Sequence, residues 1–157
     1  MEKSCSSFKP ILDKNTIALF IGTIPSEESL NQDKYYAHKN NQFWPFIKEI
    51  FGIERYDYKA LLARKIGLWD VLSSCTRKGS SDNSIKNQKY NDFSKYPQIK
   101  YYFFTSKNAY NFFIKNKTNQ ALLEKNNSEV LPSPSSAYAR MSREEKKKKW
   151  QKILKDF

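Results

Sequence analysis

The chain alternates short, wholly apolar runs with amphipathic or polar stretches, and this alternation sets its expected layout. Ile17-Ala18-Leu19-Phe20-Ile21 runs unbroken between Asn15 and Gly22, which reads as a strand buried on both faces. Leu68 to Leu72 and Tyr101 to Thr105 read the same way, and Glu129-Val130-Leu131 makes a short fourth strand that stops at Pro132. Between these runs the period lengthens to that of a helix. Phe43 to Phe51 predicts a helix capped by Asn41, with Pro45 in its first turn, Gly52 at its end, and Phe43, Trp44, Ile47 and Phe51 facing a core. Tyr58 to Lys65 and Lys107 to Lys115 predict two more, the second turning Ala109, Phe112 and Phe113 inward. Near the C-terminus Ser142 and Glu145 have capping-box spacing, and Trp150, Ile153, Leu154 and Phe157 follow at i, i+3, i+4 and i+7. Lys146 to Lys149 precede that stripe and read as a solvated face. Strands alternating with helices predict an α/β fold whose mainly parallel sheet is covered on both sides. Thr23 to Asn41, Cys75 to Asn91 and Pro132 to Arg140 read as loops, and in such folds the loops beyond the strands' carboxyl ends build the site.

Composition narrows the class. A length of 157 residues fits one domain spanning the whole chain, and 39% hydrophobic residues with 15% aromatics fit a folded globule. No apolar run approaches the roughly 18 residues of a membrane span. The opening MEKSCSSFKP lacks the apolar stretch of a signal peptide, so a cytoplasmic location is expected. Cys5 and Cys75 form neither a disulfide framework nor a CxxC pair, and with His38 the only histidine a zinc site is not expected. The net charge of +12 suits a phosphate polymer as partner. Yet only five of the 28 basic residues are arginine, and coding bias toward A/T yields the same Lys- and Asn-rich composition. Charge alone therefore leaves nucleic-acid binding open.

The candidate chemistry sits in the loops. The first reads Gly22-Thr23-Ile24-Pro25-Ser26 and then Tyr35-Tyr36-Ala37-His38-Lys39-Asn40-Asn41-Gln42-Phe43-Trp44. The second carries Leu68-Trp69-Asp70-Val71-Leu72, Cys75 and Gly79-Ser80-Ser81-Asp82, and the last reads Leu131-Pro132-Ser133-Pro134-Ser135-Ser136. In order and spacing this set resembles the uracil-DNA glycosylase superfamily, and within it the hypoxanthine-DNA (deoxyinosine) glycosylase branch, over nearly the whole chain from Ile17 onward. The resemblance implies a three-layer α/β/α sandwich around a four-stranded parallel sheet. It also implies a monofunctional, cofactor-free hydrolase that flips a damaged base out of double-stranded DNA; a monomer is expected.

Residue by residue, the resemblance implies the following. In the mismatch-specific uracil and thymine relatives, the residue before the motif proline is an Asn that positions the attacking water; Ile24 stands there here. The hypoxanthine branch offers another Asn, which lands on Asn41, a residue equally suited to capping its helix. Tyr36 aligns with the aromatic that stacks on the flipped base, although Tyr35 and Tyr36 both suit core packing. Backbone N–H groups around Gly22 to Ser26 are expected to polarise the base. Thr105-Ser106 falls where that branch shows Asn-Gly, which bears on base recognition, and Lys39 replaces its usual proline. His38 reads as a loop anchor or a supporting group, and Asp82 as a turn-former or a site contact. Pro132 to Arg140 matches the loop that enters the minor groove. Ser133, Ser135 and Ser136 would meet phosphates there, and Tyr138 or Arg140 would fill the gap left by the flipped nucleotide. Mismatch uracil excision, a non-catalytic DNA-binding module and a nucleoside hydrolase are the rival readings.

Overall fold

A computed structural model describes residues 2–157. Four strands, β2 (Ala18–Gly22), β3 (Ile66–Asp70), β6 (Tyr101–Phe104) and β7 (Asn127–Val130), form one sheet in the order β3-β2-β6-β7, with every pair parallel. β2 is buried along its whole length, as its unbroken apolar run requires. Side chains alternate across it. Ala18 and Phe20 join Phe103, Phe43, Phe46, Leu61, Trp150 and Leu154 on one face, while Leu19 and Ile21 join Tyr102, Phe104, Ala109 and Phe113 on the other. Helices α2 (Phe43–Phe51), α3 (Tyr58–Ala63) and α6 (Arg143–Leu154) cover the first face. Helices α4 (Lys107–Lys115) and α5 (Lys117–Leu123) help cover the second. This is the expected three-layer α/β/α arrangement, and its central sheet is parallel throughout.

The chain leaves β2 to one side to form β3 and returns to the other side as β6. The carboxyl ends of β2 and β6, at Gly22 and Phe104-Thr105, therefore flank the point where the winding reverses. Open α/β sheets bind ligands at such a point, because the connecting segments diverge there and leave a crevice.

Two expected loops are partly regular structure. Cys75 to Asn91 was expected to be a polar loop. Instead β4 (Leu72–Lys78), a 3₁₀ turn at Asp82–Ser84 and β5 (Lys86–Tyr90) build an antiparallel hairpin, with β1 (Glu2–Ser6) on the far side of β4. β4 and β5 carry polar residues that face water, so their period-2 signal lies in the few inward positions, among them Leu72 and Cys75. Cys5 and Cys75 face each other across β1 and β4 with their sulfurs 3.2 Å apart, both free, although 70 residues separate them in sequence. Burial pushes the Cys75 thiol up to about 12. Inside Thr23 to Asn41 lies α1 (Glu27–Gln32), capped by Ser26, whose Oγ accepts from the Ser29 N–H. The fourth strand spans Asn127–Val130, ending one residue before the expected Leu131.

The C-terminal helix follows its signature. Ser142 Oγ accepts from the Glu145 N–H, and Glu145 Oε1 accepts in return from the Ser142 N–H. Lys146 corrects the reading of a solvated lysine run. It is 4% exposed and donates from Nζ to the Ser135 carbonyl at 3.0 Å. Trp150 is fully buried, stacks on Phe20 at 5.8 Å and donates from Nε1 to the Pro132 carbonyl at 2.8 Å. No helix of the described residues is long and apolar enough to cross a membrane. Replacing Trp150 with Ala removes both the ring and this bond, and is expected to cost about 3–5 kcal/mol in urea unfolding. Trp150→Phe, which keeps an aromatic ring but leaves the Pro132 carbonyl unpaired, should cost roughly 1–3 kcal/mol.

Candidate active site

A cleft of about 1050 Å³ opens at the winding reversal. Gly22 to Ser26 form its floor, Tyr36, His38 and Asn41 one wall, and the β4–β5 turn with Asp82 another; Thr105, Ser106 and the Pro132 loop close the remainder. Of the residues singled out from the sequence, all but Arg140 line this space. Arg140 is exposed at the far end of the loop and is not part of the walls.

The floor is shaped by an absent side chain. A Cβ on Gly22 would lie 2.7 Å from Asp70 Oδ1, 3.1 Å from Tyr36 Oη and 3.7 Å from Thr105 Oγ1, so three polar groups converge where no side chain fits. Thr105 donates to the Ile21 carbonyl at 3.2 Å, which leaves its oxygen to accept from Tyr36 Oη at 3.0 Å. The N–H groups of Thr23 and Ile24 find no acceptor among the described residues and stand at the carboxyl end of β2 as free donors. Ile24 itself turns into the second core cluster.

The two tyrosines both line the cleft but have different partners. Tyr35 is an anchor: its hydroxyl donates to the Lys9 carbonyl at 3.0 Å, and its carbonyl accepts from Trp44 Nε1 at 2.8 Å. Tyr36 lines the cleft beside it. Its ring stacks on Phe43 with centroids 4.0 Å apart, and its φ of 53° lies in the left-handed region that disfavours an aromatic residue by roughly 1–2 kcal/mol. Burial, and then the nearby Asp70 charge, push both hydroxyls well above the ordinary tyrosine range, so both stay protonated.

Asn41 does not occupy the cap position, which falls to Gln42, but its Oδ1 still accepts the Phe43 N–H at 2.9 Å. That bond fixes the carboxamide while leaving a second Oδ1 lone pair and both Nδ2 hydrogens unused. His38 accepts the Asn40 N–H at Nδ1, the loop-anchor arrangement. Asp82 does not act through local side-chain turn bonds. It accepts from Thr23 Oγ1 at 3.2 Å and Asn108 Nδ2 at 3.3 Å, tying the hairpin turn to the floor and to α4. Ser106 caps α4 through the Ala109 N–H.

The Pro132 loop is pinned at both flanks. The Pro134 carbonyl accepts the Gln42 N–H at 2.8 Å, and Ser133 and Ser135 use their hydroxyl oxygens to accept the Ser135 and Ala137 N–H groups. Lys146 Nζ also lies 5.2 Å over the Tyr138 ring, which is 37% exposed.

Two further groups lining the cleft had no role assigned from the sequence. Arg77 is 2% exposed and donates from Nη2 to the Pro25 carbonyl, bracing the floor from β4. Asp70, at the end of β3 and in register with Gly22, is buried with its Oδ2 unpaired among the described residues. Burial raises its carboxyl to about 7, with Asp82 adding to the rise and Arg77 opposing it. A charged residue inside the apolar run Leu68-Trp69-Asp70-Val71-Leu72 was the available signal. No cluster of three His, Cys, Asp or Glu side chains that could hold a metal occurs among the described residues.

Comparison with known proteins agrees with this geometry. A Hypoxanthine DNA glycosylase of Methanosarcina acetivorans is 31% identical over 160 aligned positions, spanning 94% of this chain and 96% of that protein. One from Methanosarcina barkeri is 38% identical over 93 residues, or 55% of this chain, and the match spans 59% of that protein's length. A solution NMR structure from Methanosarcina acetivorans, of a protein provisionally assigned as a uracil DNA glycosylase, superposes with a TM-score of 0.79 at 30% identity over 98% of each chain. The family model of the uracil DNA glycosylase superfamily matches residues 10–157. The chain belongs to the uracil DNA glycosylase superfamily.

Proposed function

We propose that this chain is a hydrolytic DNA N-glycosylase that releases hypoxanthine from double-stranded DNA, leaving an abasic site. The observation that carries the reading is the shared cleft. A fixed carboxamide, Asn41, faces the same space as the free N–H donors at the end of β2 and the Tyr36 ring. Glycosidic cleavage builds positive charge on the sugar and negative charge on the departing base, so a positioned water and donors aimed at the base carry the reaction without a strong nucleophile.

In this mechanism the base is flipped into the cleft and lies against the exposed side of Tyr36, whose other face rests on Phe43. The Thr23 and Ile24 N–H groups donate to a base oxygen. Asn41 holds water through its unused lone pair and steers it to the anomeric carbon. Thr105 and Ser106 border the base, and Ser133, Ser135, Ser136 and Tyr138 meet the strand from the Pro132 loop, with Arg140 reaching the backbone beyond it. His38 and Asp82 keep the walls in place. The enzyme works as a monomer in the cytoplasm and no step calls for a metal or cofactor. Mismatch uracil excision is the alternative reading, and the buried, apolar Ile24 argues against it because it offers no grip on a water.

A labelled duplex with one deoxyinosine, incubated with enzyme and then treated with alkali, is expected to break at that nucleotide; intact strands at enzyme excess overturn the reading. Asn41→Ala should slow single-turnover release by about 10²–10³-fold and leave duplex affinity nearly unchanged. Because 28 basic residues against 16 acidic ones set the surface field, affinity for undamaged duplex should fall steeply with salt. A loss of roughly tenfold or more between about 50 and 200 mM, read by anisotropy, is expected.

A further inference from the structure

The mechanism above leaves one buried group without work. Asp70 ends β3 beside Gly22, with Oδ1 at the point where three polar side chains meet over the floor and Oδ2 unpaired among the described residues. Its neighbours do not neutralise it. Arg77 spends Nη2 on the Pro25 carbonyl and forms no ion pair with Asp70, and Asp82 is tied to Thr23 and Asn108. An unpaired carboxyl away from water is favoured in its neutral form, in which it is a hydrogen-bond and proton donor.

Resting on the hypoxanthine reading, we propose that Asp70 is the acid that protonates the departing purine from the floor beside Gly22. The two base classes differ in this need. Uracil leaves as a well-delocalised anion, whereas a purine bonded through N9 leaves far more readily once a ring nitrogen, N3 or N7, has gained a proton. The Asp70 O–H passes its proton to that nitrogen, and the C1′–N9 electron pair goes to the base, which departs as neutral hypoxanthine. Water held by Asn41 adds its oxygen to C1′ and releases its spare proton to solvent, from which the Asp70 carboxylate is reprotonated. The groups facing Asp70 are Tyr35 and Tyr36 from the wall, Arg77 from β4 and Asp82 from the hairpin turn. The tyrosines are held protonated and Arg77 charged, and with its own carboxyl raised to about 7 Asp70 exchanges a proton near neutrality.

The test uses the full chain and single-turnover release. For the native enzyme on a deoxyinosine duplex, the rate should be level below about pH 7 and fall about tenfold per pH unit above it. Asp70→Asn, nearly isosteric, should lose about 10²-fold at pH 6, lose the pH dependence and keep its duplex affinity. On a duplex carrying 7-methylhypoxanthine, whose ring already bears the positive charge that protonation supplies, Asp70→Asn should recover to within about threefold of the native rate. A merely structural role would leave both substrates equally impaired. Stability gives a separate reading. A carboxyl whose folded value is raised from 3.8 to about 7 destabilises the fold progressively as pH rises through that window. Asp70→Asn should therefore melt above the native protein at pH 8 and not at pH 4.

A native rate level up to pH 9, an unimpaired Asp70→Asn, equal loss on both substrates, or identical melting at pH 8 each overturns the role of Asp70 and leaves the glycosylase reading standing. A native enzyme that releases no base from either duplex overturns the glycosylase reading itself.

Discussion

The structure depends on a column of aromatic rings running from the cleft through the layer on one face of the sheet. Tyr36 stacks on Phe43, Phe43 meets Phe20 edge-on, and Phe20 lies flat against Trp150. Each such pair adds about 0.5–1.5 kcal/mol beyond the area it buries, but position matters more here than energy. Tyr36 belongs to the cleft wall and Phe43 to the first turn of the helix whose amide Asn41 accepts. Phe20 belongs to the central strand that ends at Gly22, and Trp150 to the helix whose indole N–H holds Pro132. A shift of one ring would be felt by the Tyr36 wall of the cleft, the Asn41 carboxamide and the loop bordering the cleft together.

What the sequence reveals follows from how strongly each element is buried. β2, α2 and α4 are legible because an apolar run or a clean helical period has a sharp boundary, an end at Gly22 and Gly52 and a start at Ser106. β4 and β5 are not, because Leu72-Ser73-Ser74-Cys75-Thr76-Arg77-Lys78 and Lys86-Asn87-Gln88-Lys89-Tyr90 show water most of their side chains and leave only sparse apolar positions to read. Lys146 hides in a run of four lysines, and only the tertiary fold decides which of the four turns inward. The cleft lining was largely readable because its residues lie in contiguous blocks after the strands. Asp70 and Arg77 received no role from the sequence, since what each reaches on the floor is set by strand pairing and not by its neighbours in the chain.

The floor shows a tension between folding and site chemistry. A buried, unpaired carboxyl is unfavourable for stability once ionised, and a tyrosine at positive φ is unfavourable in its backbone. Both sit within a few ångströms of Gly22, while the surrounding layers are packed with aromatics and aliphatics in ordinary arrangements. Local disadvantage concentrated at one point of an otherwise consistent structure is the physical mark of a site.

The segment from Pro132 to Ala137 contains two prolines and no glycine, and its carbonyls and hydroxyls are held by Trp150, Gln42, Lys146 and by one another. Its shape is settled during folding, so little conformational freedom remains to be lost when a partner arrives. Adaptation then falls to the other molecule. A stiff protrusion beside a crevice rewards a polymer that kinks or unstacks with little effort, and a locally weakened duplex does so more readily than an intact one.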